Sequence, residues 1–376
     1  MQRKLVFSAM AIDAVNGLTP YMPGKPIEEL ERELGLKGIV KLASNENPKG
    51  PSENVRLAIQ QAIKDVSLYP DGNGYYLKQA LAKKYSISSD RVTLGNGSND
   101  VLDLIARVFL GPGREAVYSE HAFVVYSIAT QSVSATARVA KAYAVGETQA
   151  YGHDLTAMRA LVGDKTAVVF IANPNNPTGT WLETAELEHF INELPDHVIV
   201  VLDEAYCEYS EHHDASNSID WVQRYPSLIV TRTFSKAYGL AGLRVGYAIS
   251  HPDIADLLNR VRQPFNVNSL ALVAAQVALA DEAYIAETRE LNQQGLLQLQ
   301  AGFTALDLSY IPSIGNFITV DVGSGASAVY ESLLREGVIV RPVAAYGLPN
   351  HLRVTVGSAE QNEALLRALA RVLACV

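Results

Sequence analysis

Cysteine is scarce in this sequence, because Cys207 and Cys375 are the only two among 376 residues. Two cysteines so far apart exclude a disulfide framework and a zinc-binding cysteine cluster, and we expect a reducing cytoplasm as the compartment. Long apolar runs are missing too, since no stretch approaches the roughly 18–20 residues of a membrane span. Residues 1–11 lack the apolar stretch typical of a signal peptide. We therefore expect no membrane partner.

Positive charge is not concentrated anywhere along the chain. The formal net charge is −9 and no block is rich in Lys or Arg, so the sequence lacks the basic surface of a nucleic-acid-binding protein. The neighbouring His212 and His213 have no further ligands at metal-binding spacing, and we predict no metal site. The GxSxG motif of serine hydrolases is absent as well.

What is present is the composition of a globular enzyme, with 48% hydrophobic and 19% charged residues. From about residue 91, short apolar runs alternate with helical patterns, and the runs are 91–94, 115–118, 138–145, 167–172, 198–202, 228–231 and 244–249. This alternation predicts an α/β fold with a mostly parallel seven-stranded sheet and helices on both faces.

The later part of the chain has a different pattern. After about residue 260, long helical patterns precede three short strands at 317–320, 338–341 and 351–356, which predicts a smaller α+β domain. We assign residues 1–50 to an N-terminal arm and part of the small domain, 51–260 to the large domain, and 261–376 to the small C-terminal domain.

The segment RTFSKAYGLAGLRVG follows an apolar strand and carries Thr233, Ser235, Lys236 and Arg244. An isolated lysine after a strand is usually a solvent-exposed loop residue. Here hydroxyl groups precede the lysine, and a glycine-spaced loop leads from it to an arginine. Hydroxyls and a guanidinium together suit a phosphate monoester, and a lysine beside it can form a Schiff base with a cofactor aldehyde.

Two further strands are followed by polar residues. Asp203 comes directly after the run 198–202, at the sheet edge where ligands bind, although such a carboxylate can equally cap a helix. Beside a Schiff-base lysine, it would keep a pyridinium nitrogen protonated. Asn176 lies in NPNNPTG after the run 167–172. This segment is either a plain turn, or it positions Asn176 to donate a hydrogen bond to a ligand oxygen.

Other candidates depend on their neighbours. The turn GNGSND opens a helix at Ser98 and Asn99, where backbone N–H groups favour an anion. Phe123 follows another strand, and either stacks on a flat ring or packs in the core. Arg341 and Arg353 belong to apolar late strands, where an arginine needs a negatively charged partner. That partner is either a structural carboxylate or, if both arginines face one cleft, a substrate anion.

Taken together, these motifs resemble the class I and II pyridoxal-phosphate-dependent aminotransferases, the aspartate aminotransferase superfamily, and within it the histidinol-phosphate aminotransferase subfamily. The motifs run in order along nearly the whole chain: LTPYMPGKP, KLASNENPKGPS, YPDGNG, GNGSND, NPNNPTG, DEAY, RTFSKAYGLAGLRVG and HLRVTVG. Their order and spacing make the resemblance specific, which no single motif does. It implies an aspartate-aminotransferase-like fold with the cofactor between the two domains.

The resemblance also implies a role for each candidate residue. Lys236 would hold pyridoxal 5'-phosphate and move the substrate proton, while Asp203 would pair with the pyridine nitrogen. Asn176 and Tyr206 would bind the phenolic oxygen, and Phe123 would stack on the ring where the family often has tyrosine. The implied phosphate-binding residues are Ser98, Asn99, Thr233, Ser235, Arg244 and Tyr69 of the partner subunit. The implied substrate-binding residues are Tyr21 of the partner subunit's arm, Asn176, Arg341 and Arg353.

The implied reaction is transamination between histidinol phosphate and 2-oxoglutarate, giving imidazole-acetol phosphate and glutamate, in histidine biosynthesis. The implied assembly is a homodimer with shared active sites. An aromatic amino-acid aminotransferase of the same subfamily is the alternative, and a decarboxylase acting on threonine phosphate is a further possibility on this scaffold. A non-enzymatic binding module would not need Lys236, Asp203 and Arg244 together.

Overall fold

The computed structural model describes residues 7–147, 149–210 and 215–374. Within these ranges the strands form three sheets. The strands are β1 (Val40–Lys41), β2 (Val92–Gly95), β3 (Glu115–Ser119), β4 (Thr136–Ala140), β5 (Thr166–Ala172), β6 (Ile199–Asp203), β7 (Leu228–Thr233), β8 (Gly246–Ile249), β9 (Tyr310–Ile311), β10 (Phe317–Asp321), β11 (Val338–Ile339), β12 (Arg341–Pro342) and β13 (His351–Thr355).

The helices surround these sheets. They are α1 (Asp13–Asn16), α2 (Ile27–Leu34), α3 (Glu53–Ala62), α4 (Tyr75–Tyr85), α5 (Ser98–Phe109), α6 (Val124–Ser132), α7 (Leu155–Ala160), α8 (Thr184–Glu193), α9 (Ala215–Arg224), α10 (Pro252–Val261), α11 (Ser269–Ala280), α12 (Glu282–Ala305), α13 (Ala326–Arg335) and α14 (Ala359–Leu373). Among the described residues no single helix is long and apolar enough to cross a membrane. The helices α11 and α12 would together be long and apolar enough, but the chain bends by 81° between them.

The central sheet has seven strands in the order β2-β8-β7-β6-β5-β3-β4. The five strands from β3 to β7 are parallel, while β8 is antiparallel to β2 and β7. Along β5, Val169 and Ile171 enter one apolar layer, whereas Val168 and Phe170 enter the other. Both faces are therefore buried, which explains the unbroken apolar runs in the sequence. The predicted fold class is confirmed.

The remaining strands form two small sheets. One is four-stranded and antiparallel, in the order β12-β13-β10-β9, and the other pairs β1 with β11 in parallel. Val40 of β1 pairs with Val338, so residues near the N-terminus join the C-terminal part in space. The prediction of one strand over 338–341 was wrong, because the chain leaves one sheet after Ile339 and enters the other at Arg341.

The strand predicted over 138–145 also ends earlier, at Ala140. Beyond it the chain folds into a loop in which the Tyr143 N–H donates to the Gly152 carbonyl and the Tyr151 N–H donates to the Tyr143 carbonyl. The backbone groups after Ala140 are therefore paired within this loop, so they do not extend the edge of the sheet.

Candidate active site

A cleft lies at the carboxyl ends of the central strands, where ligands bind in open α/β sheets. Its lining brings together residues that are as much as 332 positions apart in the sequence. The lining residues are Tyr21, Ser44, Asn45, Ser98, Asn99, Phe123, Ala172, Pro174, Asn176, Asp203, Ala205, Tyr206, Thr233, Ser235, Lys236, Arg244 and Arg353. Every residue predicted for the site is among them except Tyr69 and Arg341.

One end of the cleft is built to hold a small anion. Ser98 and Asn99 open α5, so the unpaired N–H groups and the positive dipole end of that helix face the cleft. Arg244 donates from Nη1 to Ser235 Oγ at 3.1 Å. Gly97 has φ +82, and a Cβ added there would clash with the Arg244 guanidinium. The missing side chain therefore leaves room for an arginine beside a helix N-terminus.

Asp203 is the last residue of β6 and is buried on the floor of the cleft. Its Oδ2 accepts a hydrogen bond from the Tyr126 hydroxyl at 2.8 Å, and its Oδ1 accepts one from Thr231 Oγ1 at 3.2 Å. Burial raises the pKa of Asp203 to about 6, although these two hydrogen bonds oppose the rise. The carboxylate is thus fixed in orientation and would be stabilised by a cationic ligand.

Lys236 follows β7 and projects into the cleft, where its Nζ donates to the Ser44 carbonyl at 3.0 Å. Burial lowers the pKa of Lys236 to about 7, and the positive charges of Arg353 and Arg244 act in the same direction. A large share of this lysine is therefore the neutral amine at physiological pH. A neutral amine can attack an aldehyde and can accept a proton.

Tyr206 lies beside Lys236, whose Nζ is 5.7 Å from the centroid of the tyrosine ring. The Tyr206 hydroxyl accepts a hydrogen bond from Asn45 Nδ2 at 2.9 Å. Burial raises the pKa of Tyr206 to about 12, so the hydroxyl keeps its proton at physiological pH. It can donate that proton to a ligand oxygen while Asn45 holds it in place.

Arg353, in β13, is only 5% exposed, yet no described carboxylate pairs with it. It donates to Asn176 Oδ1 at 2.5 Å and to the Ala43 carbonyl at 2.8 Å, while its Nε has no partner. Burial lowers the pKa of Arg353, which reflects the cost of keeping an uncompensated guanidinium away from water. Such an arginine calls for an anionic ligand. With Lys236, Arg244 and Asp203, the cleft holds three basic groups and one acidic group.

Arg341 lies next to the cleft although it is not in its lining. It is directly opposite Arg353 in the antiparallel register of β12 and β13. Like charges opposite each other in a sheet are destabilising unless an anion lies between them. Its guanidinium carbon is 5.3 Å from the ring centroid of Tyr21. Tyr21 thus lies in the cleft of its own chain, whereas the resemblance implied that it reaches the partner's site.

Tyr69 is not brought to this cleft. Its side chain is 83% exposed and stacks on Phe265, with the ring centroids 4.8 Å apart. His212 and His213 lie outside the described residues, as does Cys375, while Cys207 is a buried free thiol. Among the residues that the structure does describe, no group of three or more His, Cys, Asp or Glu side chains could hold a metal ion.

The comparison with protein families is decisive, since the model for "Aminotransferase class I and II" matches residues 37–369. The chain belongs to this aminotransferase family. Histidinol-phosphate aminotransferase 2 of Pseudomonas fluorescens is 58% identical over 370 residues, which is 98% of both chains. The resemblance seen in the sequence motifs is therefore confirmed.

Solved structures of aminotransferases have the same fold. The crystal structure of histidinol-phosphate aminotransferase from Sinorhizobium meliloti in complex with pyridoxal-5'-phosphate has a TM-score of 0.88 and 31% identity, covering 96% of this chain and 97% of that one. A Thermus thermophilus aspartate aminotransferase mutant has a TM-score of 0.83 at 22% identity, covering 96% and 99%, and shows the fold alone. The expected aspartate-aminotransferase-like fold is confirmed.

Sequence reasoning missed three residues that hydrogen-bond to the functional side chains of this aminotransferase cleft. They are Tyr126, which holds Asp203, and Ser44 and Asn45, which contact Lys236 and Tyr206. Ser44 and Asn45 belong to the quoted motif KLASNENPKG, so the signal was present without an assigned role. Tyr126 lies three residues after Phe123, a spacing at which two helical side chains share a face.

Proposed function

We propose that the chain is a pyridoxal-phosphate-dependent aminotransferase that moves an amino group between histidinol phosphate and 2-oxoglutarate, in histidine biosynthesis. Two kinds of support meet here. The relative from Pseudomonas fluorescens, at 58% identity, is named for this substrate. The observation that carries the proposal is the buried and uncompensated Arg353 with Arg341 opposite it, beside a lysine and a separate anion cradle.

The residues of the cleft fit pyridoxal 5'-phosphate. The N-terminus of α5, Thr233, Ser235 and Arg244 would hold the phosphate, and Gly97 leaves the room that the Arg244 guanidinium needs there. Phe123 would lie against the ring. Each remaining polar atom of the cofactor would have a partner: Asp203 for the ring nitrogen, Asn176 and Tyr206 for the phenolic oxygen, and Lys236 for the aldehyde.

The cofactor, when bound, supplies an electron sink that stabilises negative charge at the substrate carbon that carries the amine. Asp203 contributes by keeping the ring nitrogen protonated, because its carboxylate lies fixed between Tyr126 and Thr231. Lys236 would accept the proton of that substrate carbon and return it later in the reaction, because its pKa of about 7 leaves much of it as the neutral amine. Tyr206 would donate to the phenolic oxygen and so favour the charged form of that oxygen.

The two arginines bind the acidic end of each substrate. Glutamate would place its carboxylate on Arg353, whose paired N–H groups match two oxygens. Histidinol phosphate has no carboxylate, so its phosphate, with close to two negative charges, would be shared by Arg353 and Arg341. An aromatic amino acid needs only Arg353, which is why the aromatic aminotransferase is the second candidate.

The proposed assembly is a homodimer in the cytoplasm whose active sites are shared. Exposed apolar side chains concentrated between residues 57 and 76 support it: Leu57, Ile63, Val66, Leu68, Tyr69 and Tyr76 are all between 47% and 83% exposed. Such a concentration of apolar surface marks an interaction site. Tyr69 in this segment would reach the phosphate in the partner subunit.

A panel of amino donors tests the substrate. The purified holoenzyme would be assayed with 2-oxoglutarate and either histidinol phosphate, phenylalanine, tyrosine or aspartate as donor. We expect the highest kcat/KM for histidinol phosphate. A higher value for phenylalanine would replace this assignment with the aromatic aminotransferase, and no transfer from any donor would refute the aminotransferase mechanism itself.

A further inference from the structure

Tyr346 has no role so far, although it lies between the two anion-binding arginines in the chain. After β12, which begins with Arg341, the chain makes a short helical turn at Ala344–Tyr346 and returns as β13, which carries Arg353. Gly347, with φ +77, ends this turn. The Tyr346 ring is 5% exposed and packs with Ile311, Val343 and Leu348. The turn thus fixes a tyrosine beside both arginine-bearing strands.

The Tyr346 hydroxyl faces the arginines. The positive charges of Arg353 and Arg341 both act on it, so it lies near both guanidinium groups. Burial is the main reason that the pKa of Tyr346 is raised, so the hydroxyl keeps its proton. Because a guanidinium can only donate, neither arginine can accept the proton of this hydroxyl. No described acceptor takes that proton.

His121 holds this turn in place from the large sheet's side of the cleft. Its Nδ1 lies 2.7 Å from the Tyr346 carbonyl, and since a carbonyl can only accept, Nδ1 carries the proton. The His121 backbone carbonyl accepts from Asn175 Nδ2 at 3.0 Å. A Cβ at Gly347 would lie 3.3 Å from the His121 ring, so glycine permits the close approach. His121 therefore ties the turn to the segments that carry Phe123 and Asn176.

We propose that Tyr346 is a specificity-determining residue that donates a third hydrogen bond, beside Arg341 and Arg353, to the phosphate of a phosphorylated substrate, and that His121 positions it. The inference deepens the proposed function and rests on it. A carboxylate has two oxygens, which the Arg353 fork satisfies, whereas a phosphate monoester has three terminal oxygens. The third donor therefore favours the phosphate over the carboxylate.

The test removes only the hydroxyl. In the holoenzyme, Tyr346→Phe should lower kcat/KM for histidinol phosphate by about 10- to 100-fold, mainly through KM, because one hydrogen bond to a charged group is lost. The value for phenylalanine should change less than about 3-fold. Inorganic phosphate, as a competitive inhibitor against phenylalanine, should bind more weakly by a similar factor. His121→Phe should lower kcat/KM for histidinol phosphate selectively, but by a smaller factor than Tyr346→Phe.

Tyr151→Phe is the matched control, because Tyr151 stacks edge-on against His121 in the same cluster but has no contact with the arginines. This variant should leave kcat/KM unchanged for both substrates. Equal losses for histidinol phosphate and phenylalanine in Tyr346→Phe would show a purely structural role and overturn the inference, while the proposed function would stand. No change for either substrate would overturn it as well. A wild-type enzyme that ignores histidinol phosphate would overturn both.

Discussion

At the scale of single residues, burial moves the pKa values of one acidic and one basic group of the cleft towards neutral pH. Removal from water disfavours any charge, so it lowers the pKa of Lys236 to about 7 and raises that of Asp203 to about 6. Neither residue has an ion-pair partner among the described side chains. Both are therefore free to interact with a ligand, which structural ion pairs are not.

The first prediction concerns Lys236. Lys236→Ala should still bind pyridoxal 5'-phosphate through the anion cradle, but transaminate several orders of magnitude more slowly, since one residue both holds the cofactor and moves the proton. Borohydride reduction of the wild type, followed by peptide mass mapping, should place the cofactor on the peptide that contains Lys236. Its appearance on another lysine would contradict this assignment.

The second prediction concerns the stability of the chain without cofactor. The pKa of Asp203 is raised, so the folded state holds this proton more tightly than the unfolded state, and the stabilisation is lost as pH rises through about 6. Asp203→Asn carries no such charge. Its apoprotein should be more stable than the wild type at pH 8, by at most about 3 kcal/mol for a shift of about two units, and the gap should shrink towards pH 5.

Urea unfolding of both apoproteins at several pH values measures this gap, and the activity of the loaded Asn variant should be nearly lost. A variant that is less stable than the wild type at pH 8, or that remains fully active, would contradict the role given to Asp203.

How far the sequence predicts this site depends on how local each signal is. Asp203 ends a strand, while Lys236 and Asn176 lie a few residues after the ends of neighbouring strands, so their meeting follows from the geometry of a parallel sheet. Tyr126 was not predicted because its partner, Asp203, is 77 residues away in the sequence and is reached only through tertiary packing. No short-range pattern marks a tyrosine whose hydroxyl has such a partner.

At the scale of elements, the anion cradle depends on one turn between β2 and α5. Gly97→Ala would force a Cβ into the Arg244 guanidinium at a positive φ, and so displace the arginine. Affinity for pyridoxal 5'-phosphate should fall by about 10- to 100-fold, as expected for the loss of a charge-assisted hydrogen bond. Equilibrium titration of the apoprotein with the cofactor measures it.

Gly113→Ala separates this clash from backbone strain. Gly113 has a similar φ of +84, but an added Cβ there would meet no atom within 4 Å. The control variant should therefore lose comparable stability, about 1 kcal/mol, with unchanged cofactor affinity. Equal affinity losses in the two variants would mean that the cradle does not depend on space beside Arg244.

Element boundaries were less predictable than element types. The central strands were recognised because burial on both faces makes them continuous apolar runs. The run 338–341 gave no sign of its division, since Val340 is as buried as Val338 and Ile339 while the chain changes sheets there. Hydrophobicity reports burial and not the hydrogen-bonding partner, so it cannot mark such a change.

At the scale of the whole molecule, the exposed position of Tyr69 is the clearest consequence of the proposed dimer. If Tyr69 completes the partner's site, Tyr69→Ala and Lys236→Ala homodimers should both be weakly active, but heterodimers should regain activity at one intact site. Up to about a quarter of wild-type activity is expected in a random mixture of equal amounts, because half of the dimers are mixed and each has one intact site of two.

Tyr76→Ala replaces Tyr69→Ala as the control, since Tyr76 is an exposed tyrosine of the same segment but was given no role in the site. Tyr76→Ala should remain active alone. If subunit exchange is verified but the Tyr69 mixture regains no activity, each chain builds its site alone. Tyr21 already lies in the cleft of its own chain.

The most direct test of the account mixes the cofactor-loaded enzyme with histidinol phosphate alone, without any acceptor, and follows the absorbance of the cofactor. The amino group should pass to the cofactor in one turnover, so the absorbance of the aldehyde form should disappear, and added 2-oxoglutarate should restore it with release of glutamate. Arg341→Gln should slow the first phase far more with histidinol phosphate than with phenylalanine. An absorbance that does not change with histidinol phosphate, or that 2-oxoglutarate does not restore, would contradict the proposed transamination.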